Sequence, residues 1–140
     1  EDYTNIITFY SPLENISDRF PENVGISITP YSQNITLDDY NTQVATGLNM
    51  SPGIVRLIES NSTTLADNPA YRIAISPQVG NNSQFMFKIM RIWTIEDNNV
   101  YAIAYTAEPG RYDNYLPTVQ KMIDSFEIAD IELRNITGKS

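Results

Sequence analysis

The chain has 140 residues, with nine Lys and Arg against seventeen Asp and Glu, a formal charge of −8, and neither Cys nor His. An acidic balance with its few cations spread thinly from Arg19 to Lys139 excludes the basic stripe that nucleic acid or anionic lipid requires. Losing Cys and His together excludes thiolate nucleophiles, disulfides, imidazole-based triads, zinc sites and haem ligation, and leaves carboxylates, Tyr, Lys and Ser for any chemistry.

The segment from Asn5 to Tyr10 is rich in β-branched and aromatic residues and stops at Ser11-Pro12, so it reads as a strand. Val24 to Ile28 alternates Val24, Ile26 and Ile28 against small residues and reads as a second strand. Thr36 is a plausible helix N-cap with Asp39 three residues on, and Leu37, Tyr40, Val44, Ala45 and Leu48 recur at helical spacing until Ser51-Pro52-Gly53. From Ile54 the period changes to two. Ile54 to Ser60, Tyr71 to Ser76, Gln84 to Ile95 and Val100 to Ala107 read as strands separated by Asp67-Asn68-Pro69, Gly80-Asn81-Asn82 and Glu96-Asp97-Asn98-Asn99. Links this short predict an antiparallel meander.

In the third of those strands Phe85, Phe87, Ile89, Trp93 and Ile95 share one face, expected to be the core face, while Gln84, Met86, Lys88, Met90 and Thr94 share the other. Arg91 interrupts the apolar face, so its charge is expected to reach a rim or a carboxylate. After Glu108-Pro109-Gly110 a second helix is expected from Asn114 as N-cap. Tyr115, Leu116, Val119, Met122, Ile123 and Phe126 step around one face of it, and Pro117 fits its first turn. Ile128 to Leu133 reads as a short strand or a tail. No repeat or linker divides residues 1–140, which read as one α/β (α+β) domain with an antiparallel sheet flanked by helices, and the opening at Glu1 rather than Met reads as processing or trimming.

Six Asn-X-Ser/Thr sequons are present, at Asn15, Asn34, Asn49, Asn61, Asn81 and Asn135. Chance would place roughly two, so the acceptor motif is enriched. Each is expected in a loop or at the end of an element, where a glycan can stand in solvent: Asn34 before the first helix, Asn49 at its end, and Asn61 and Asn81 between strands. Turn chemistry also draws Asn, Ser and Thr into loops. The pattern predicts an extracellular or cell-surface location.

For catalysis by a carboxylate pair, as in glycoside hydrolysis, Glu59, Glu96 and Glu108 are the candidates, although surface solvation explains each of them more simply. Tyr101, Tyr105, Tyr112 and Tyr115 could line a ligand groove between the last strand and the last helix, or serve as core and edge packing.

Read in order, the residues resemble the PsbP family, whose best-known members are extrinsic subunits of photosystem II. The resemblance rests on Phe9-Tyr10-Ser11-Pro12, Val24-Gly25-Ile26-Ser27-Ile28, Thr36-Leu37-Asp38-Asp39-Tyr40 and Leu65-Ala66-Asp67-Asn68-Pro69-Ala70-Tyr71. Its most specific part is Trp93 to Glu96, Val100 to Ala107, Tyr112, Tyr115-Leu116 and Ile123-Asp124-Ser125-Phe126. It spans Ile6 to Ile128 and implies an α/β/α sandwich of the stand-alone archaeal or bacterial branch.

The resemblance also implies two departures. Family members begin with a strand pair around a Tyr-Pro-Ser-x-Trp-like element that this chain lacks, which would leave a sheet edge open to strand addition from another chain, and hence to a dimer or filament. Some members bind divalent ions partly through His, which is absent here. Oxygen-only Ca²⁺ binding could then fall to Asp38 with Asp39, Asp97-Asn98-Asn99, or Glu108 with Asp113, none of which has EF-hand spacing. Helix-dipole and turn roles account for the first two, so neither metal nor cofactor is expected. The expected function is a non-enzymatic binding or assembly domain taking a protein partner or itself; an accessory subunit of a membrane complex follows from the photosystem analogy.

Overall fold

Two tight turns organise the sheet. Ala66-Asp67 (φ 53° and 63°) and Asp97-Asn98 (φ 52° and 61°) lie in the left-handed region. Pairs of positive φ match the right-handed twist of the strands they join and close hairpins with two-residue loops. In a computed structural model of the protein, residues 5–11, 21–49, 55–77 and 87–129 are described. The elements are β1 (Asn5–Tyr10), β2 (Asn23–Pro30), α1 (Leu37–Asn49), β3 (Val55–Leu65), β4 (Asn68–Pro77), β5 (Lys88–Glu96), β6 (Asn99–Ala107) and α2 (Tyr112–Ser125). The strands form one six-stranded sheet in the order β1-β2-β6-β5-β4-β3, antiparallel throughout. The expected meander from β3 to β6 is present.

A helix covers each face. Leu37, Tyr40, Val44 and Leu48 of α1 pack on Ile73, Trp93, Val100 and Ala102. On the opposite face Tyr112, Val119 and Ile123 of α2 pack with Val24, Met90, Ile92, Ile103 and Tyr105. The chain therefore has an α+β fold in which both faces of β5 are core. The expectation of a core on the odd-numbered face is corrected by the full burial of Met90, Ile92 and Thr94 on the other. A strand covered on both faces loses the one-sided alternation that an exposed sheet would show. Ala45, expected in the buried stripe of α1, is exposed. Gln84 to Met86 lie outside the described residues.

Arg91 lies on the α1 face, and its Nη2 donates to Tyr40 Oη at 2.6 Å. Its guanidinium stands 5.0 Å from the Trp93 ring centroid and 5.5 Å from that of Tyr40. The part-buried charge is thus held by a phenol and two π faces, with no carboxylate paired to it among the described residues. Trp93 Nε1 donates to Asn41 Oδ1 at 2.8 Å, a second polar tie between α1 and the sheet.

α1 opens with a reciprocal cap: Thr36 Oγ1 accepts from the Asp39 N–H at 3.0 Å, and Asp39 Oδ2 accepts from the Thr36 N–H at 3.3 Å. Such a pair satisfies two of the N–H groups that a helix start leaves without partners. Thr36→Ala is expected to cost about 1 kcal/mol, read as a fall in the urea midpoint, with Thr36→Ser recovering most of it.

The second helix departs from expectation at its start. Its N-cap is Arg111, with no side-chain cap bond, and Pro117 is the sixth helical residue instead of a first-turn residue. The cause is the preceding turn, in which the Arg111 N–H donates to Glu108 O and the Asn114 N–H to Arg111 O, so the chain is wound before Asn114 is reached. Pro117 is exposed, so the Asp113 carbonyl that loses its helical donor can take water. Ile128 and Ala129 have no regular structure, and residues 130 to 133 lie outside the described region.

Candidate functional site

Strand register places the chemistry. Phe9, Val24, Tyr105, Met90, Ala74 and Glu59 are successive cross-strand partners, so they form one row across the six strands, on the α2 face. Successive residues alternate faces. Stepping back two residues from Val24 puts Glu22 on the same face, and stepping forward two from Phe9 puts Ser11 opposite it. The Ser11 N–H donates to Glu22 O at 2.7 Å, which extends the β1–β2 pairing by one residue.

Where α2 crosses this end of the sheet it leaves a groove of about 290 Å³, walled by Phe9, Val24, Tyr105, Tyr115, Val119 and Met122 and ended by Ser11 and Glu22. Its outer lip is apolar and open, since Phe9 is 51 % exposed. Glu22 is the reverse, at 2 % exposed. One carboxylate oxygen, Oε1, accepts from Ser11 Oγ at 3.1 Å; the other, Oε2, is buried with no hydrogen-bond partner among the described residues.

The four tyrosines divide. Tyr105 and Tyr115 line the groove. Tyr112 lies beneath it, its ring 4.9 Å from that of Tyr105 and its backbone carbonyl accepting from Tyr105 Oη at 2.7 Å. Lys88 Nζ sits 4.1 Å from the centroid of the Tyr112 ring. Tyr101 corrects the expectation: it shares the face of Tyr105 but lies four residues along β6, roughly 13 Å away. It belongs to the Asp97-Asn98 end of the sheet.

Burial pushes the Tyr105 phenol well above its ordinary range, with Tyr112 and Glu22 adding to the effect. Tyr112 is raised, first by burial; the Arg72 guanidinium opposes this, although it stands outside hydrogen-bond geometry with Tyr112 Oη. Tyr101 is raised by burial and then by Glu96 and Asp97. All three are therefore neutral hydrogen-bonding groups at neutral pH, unsuited to act as bases.

The proposed carboxylate catalysts do not converge. Glu59 is opposite Ala74, whereas Glu96 accepts from Asn68 Nδ2 at 2.9 Å, six residues along β4 and so roughly 20 Å away. Glu96 and Glu108 flank opposite ends of β6, roughly 30 Å apart, and Glu59 lies three strands from β6, roughly 14 Å. Facing acids in a glycosidase stand about 5–10 Å apart. Glu108 instead pairs with Arg111 at 3.6 Å.

The oxygen clusters considered for Ca²⁺ have structural partners. Asp39 caps α1. Asn98 clamps the segment before α1: its carbonyl accepts from the Tyr31 N–H at 2.9 Å, its Oδ1 from the Ile35 N–H at 3.4 Å, and its Nδ2 donates to Asn34 Oδ1 at 3.1 Å. Among the described residues no group of three or more Asp and Glu is placed to hold a metal ion.

Of the sequons, Asn34 and Asn49 are exposed at the expected positions. Asn61 is exposed but lies within β3, which runs on to Leu65, so its expected placement between strands is corrected. The β-branched Thr63-Thr64 carries the strand to the Ala66-Asp67 turn, and an outermost strand leaves Asn61 in solvent. Asn15, Asn81 and Asn135 lie outside the described residues.

An antiparallel sheet with one helix on each face and this strand order defines a PsbP-like α/β/α architecture. Among solved structures the chain is similar to cyanobacterial PsbP from Synechocystis, with TM-score 0.57, 14 % identity and coverage of 92 % of both chains. It is also similar to a protein of unknown function from Pseudomonas aeruginosa, with TM-score 0.75 and 12 % identity over 91 % of this chain and 85 % of that one. No sequence-family profile matches the chain, and no curated protein matches it by sequence.

The groove was half legible in the residues. Tyr105 and Tyr115 stand out by their place on the last strand and helix; Glu22, between Pro21 and Asn23, has the local sequence of a solvated loop. The signal that finds it is register counted back from Val24.

Proposed function

We propose that the chain is a non-catalytic binding or assembly domain of PsbP ancestry, exported to the cell surface and N-glycosylated, which takes its partner at the β1–β2–α2 groove. The observation that carries this reading is the open apolar lip: Phe9 stands in solvent beside a groove whose walls are apolar and aromatic. Exposed large apolar side chains grouped at a concavity favour binding over solvation. The dispersal of Glu59, Glu96 and Glu108 supports the non-catalytic half of the reading, and the exposure of Asn34, Asn49 and Asn61 supports the glycan half.

A second reading, strand addition at β1, is favoured by a different observation. β1 is outermost in the sheet and carries Ile7, Phe9 and Tyr10 exposed, while the opposite edge, β3, carries Leu57 and Ile58 exposed at a bulge. Long apolar edges are templates for pairing.

Light scattering on the native glycoprotein, before and after enzymatic deglycosylation, tests both. Loss of mass on deglycosylation, with sugar on peptides holding Asn34, Asn49 or Asn61, is the expected result; an unmodified native mass refutes the glycan half of the reading. Concentration-dependent dimers or larger species that Phe9→Ser returns to monomer support strand addition, and a monomer at every concentration refutes it.

A further inference from the structure

Glu22 is the feature that packing does not account for. A carboxylate 2 % exposed normally has its oxygens filled by donors, yet Oε2 has none among the described residues. Among the described residues no Lys or Arg lines the groove that Glu22 ends. A buried charge with no counter-charge among the described residues is costly, so whatever enters the groove interacts with that charge first.

We infer that the groove is a receptor site for a small organic cation, specifically a quaternary or heavily alkylated ammonium, with Glu22 as counter-charge and Phe9 and Tyr115 as π faces. The inference rests on the groove being a binding surface, as proposed above, and adds the chemical class of its ligand. Three observations select that class. The walls are apolar and aromatic, which suits a cation wearing hydrocarbon, because ring faces attract positive charge while methyl groups fill the apolar space. Oε2 is buried, at a residue that ends the groove, so water screens its charge little; a ligand with no N–H to donate can still be held by that charge. The volume, about 290 Å³, is at the lower end of small-molecule sites, which run roughly 300–1,000 Å³, so it suits one compact group. A formal charge of −8 adds a field that draws cations and repels anions.

The test is a nuclear magnetic resonance titration of the full chain with choline and with its uncharged carbon isostere, dimethylbutanol, following the Tyr115 and Phe9 ring signals. Choline is expected to bind at least about tenfold more tightly than the alcohol. Glu22→Gln, which keeps shape and the Ser11 contact, is expected to bring the two within about twofold by weakening choline and leaving the alcohol unchanged. Tyr115→Leu provides a second arm, independent of Glu22: it is expected to weaken choline about fivefold while leaving the alcohol unchanged. Equal affinity for choline and the alcohol in the unaltered protein, or a choline preference that survives Glu22→Gln, overturns the cation inference while keeping the groove as an apolar binding surface. No ring-signal change with either compound overturns both the inference and the groove reading beneath it.

Discussion

Trp93→Ala is expected to remove about 4 kcal/mol of stability, a large share of the roughly 5–15 kcal/mol that holds a domain of this size folded. The indole is 0 % exposed in the middle of β5. Tyr40 meets it edge-on at 5.6 Å, Tyr71 tilts against it at 5.9 Å, and the Arg91 guanidinium lies over it at 5.0 Å. α1 makes the loss larger than that of a cavity in isolation. That helix has no fully buried residue, so its hold on the sheet depends on a few contacts, and two of the polar ones, to Asn41 and through Arg91 to Tyr40, converge on Trp93. Trp93→Phe keeps most of the apolar area and forfeits the indole N–H, so a smaller cost of about 1–2 kcal/mol is expected. Urea unfolding followed by circular dichroism measures both. An unchanged midpoint for Trp93→Ala removes the argument that α1 is pinned at this residue.

Which features are legible in the residues follows from the range of the interactions involved. Asp97-Asn98 was recognisable as a turn because Asp and Asn tolerate positive φ and carry short polar side chains. Ala66 adopts φ 53° without that excuse, and the turn it shares with Asp67 is imposed by the pairing of eleven-residue β3 with β4. The strand therefore runs past the expected end at Ser60 to Leu65. β5 posed a different problem: its period of two was visible, but Met90 and Ile92 on one face and Trp93 on the other are both core because helices from distant parts of the chain cover both sides. Alternation identifies which residues share a face and is silent on what covers it. The same limit separates Tyr101 from Tyr105, which share a face at opposite ends of β6. Glu22 was invisible for a stronger reason, since what buries it is the β1 pairing and an α2 some ninety residues later.

The alkaline behaviour of Tyr105 offers the sharpest test of the packing beneath the groove. Its hydroxyl is the buried donor to the Tyr112 carbonyl, and its folded-state pKa is raised, with burial as the main cause. For a group raised on folding, the stabilisation is fully present below the unfolded pKa, about 10 for a phenol, and is lost as pH climbs, because the unfolded chain releases a proton that the folded one retains. Tyr101 and Tyr112 shift in the same direction, so the unaltered protein should lose stability above about pH 10 through several groups. Tyr105→Phe separates one of them. At neutral pH it leaves a buried carbonyl without its donor and is expected to cost about 1–3 kcal/mol. As pH rises the variant has one fewer proton to retain, so the gap between variant and unaltered protein should narrow, while contributions from lysines and the other tyrosines cancel in the difference. Paired urea curves between about pH 7 and 11 measure that gap. Two stability profiles that stay parallel over the range would mean that Tyr105 ionises in the folded state as it does in water. The row from Phe9 through Val24 to Tyr105 would then not be the closed floor on which the groove depends.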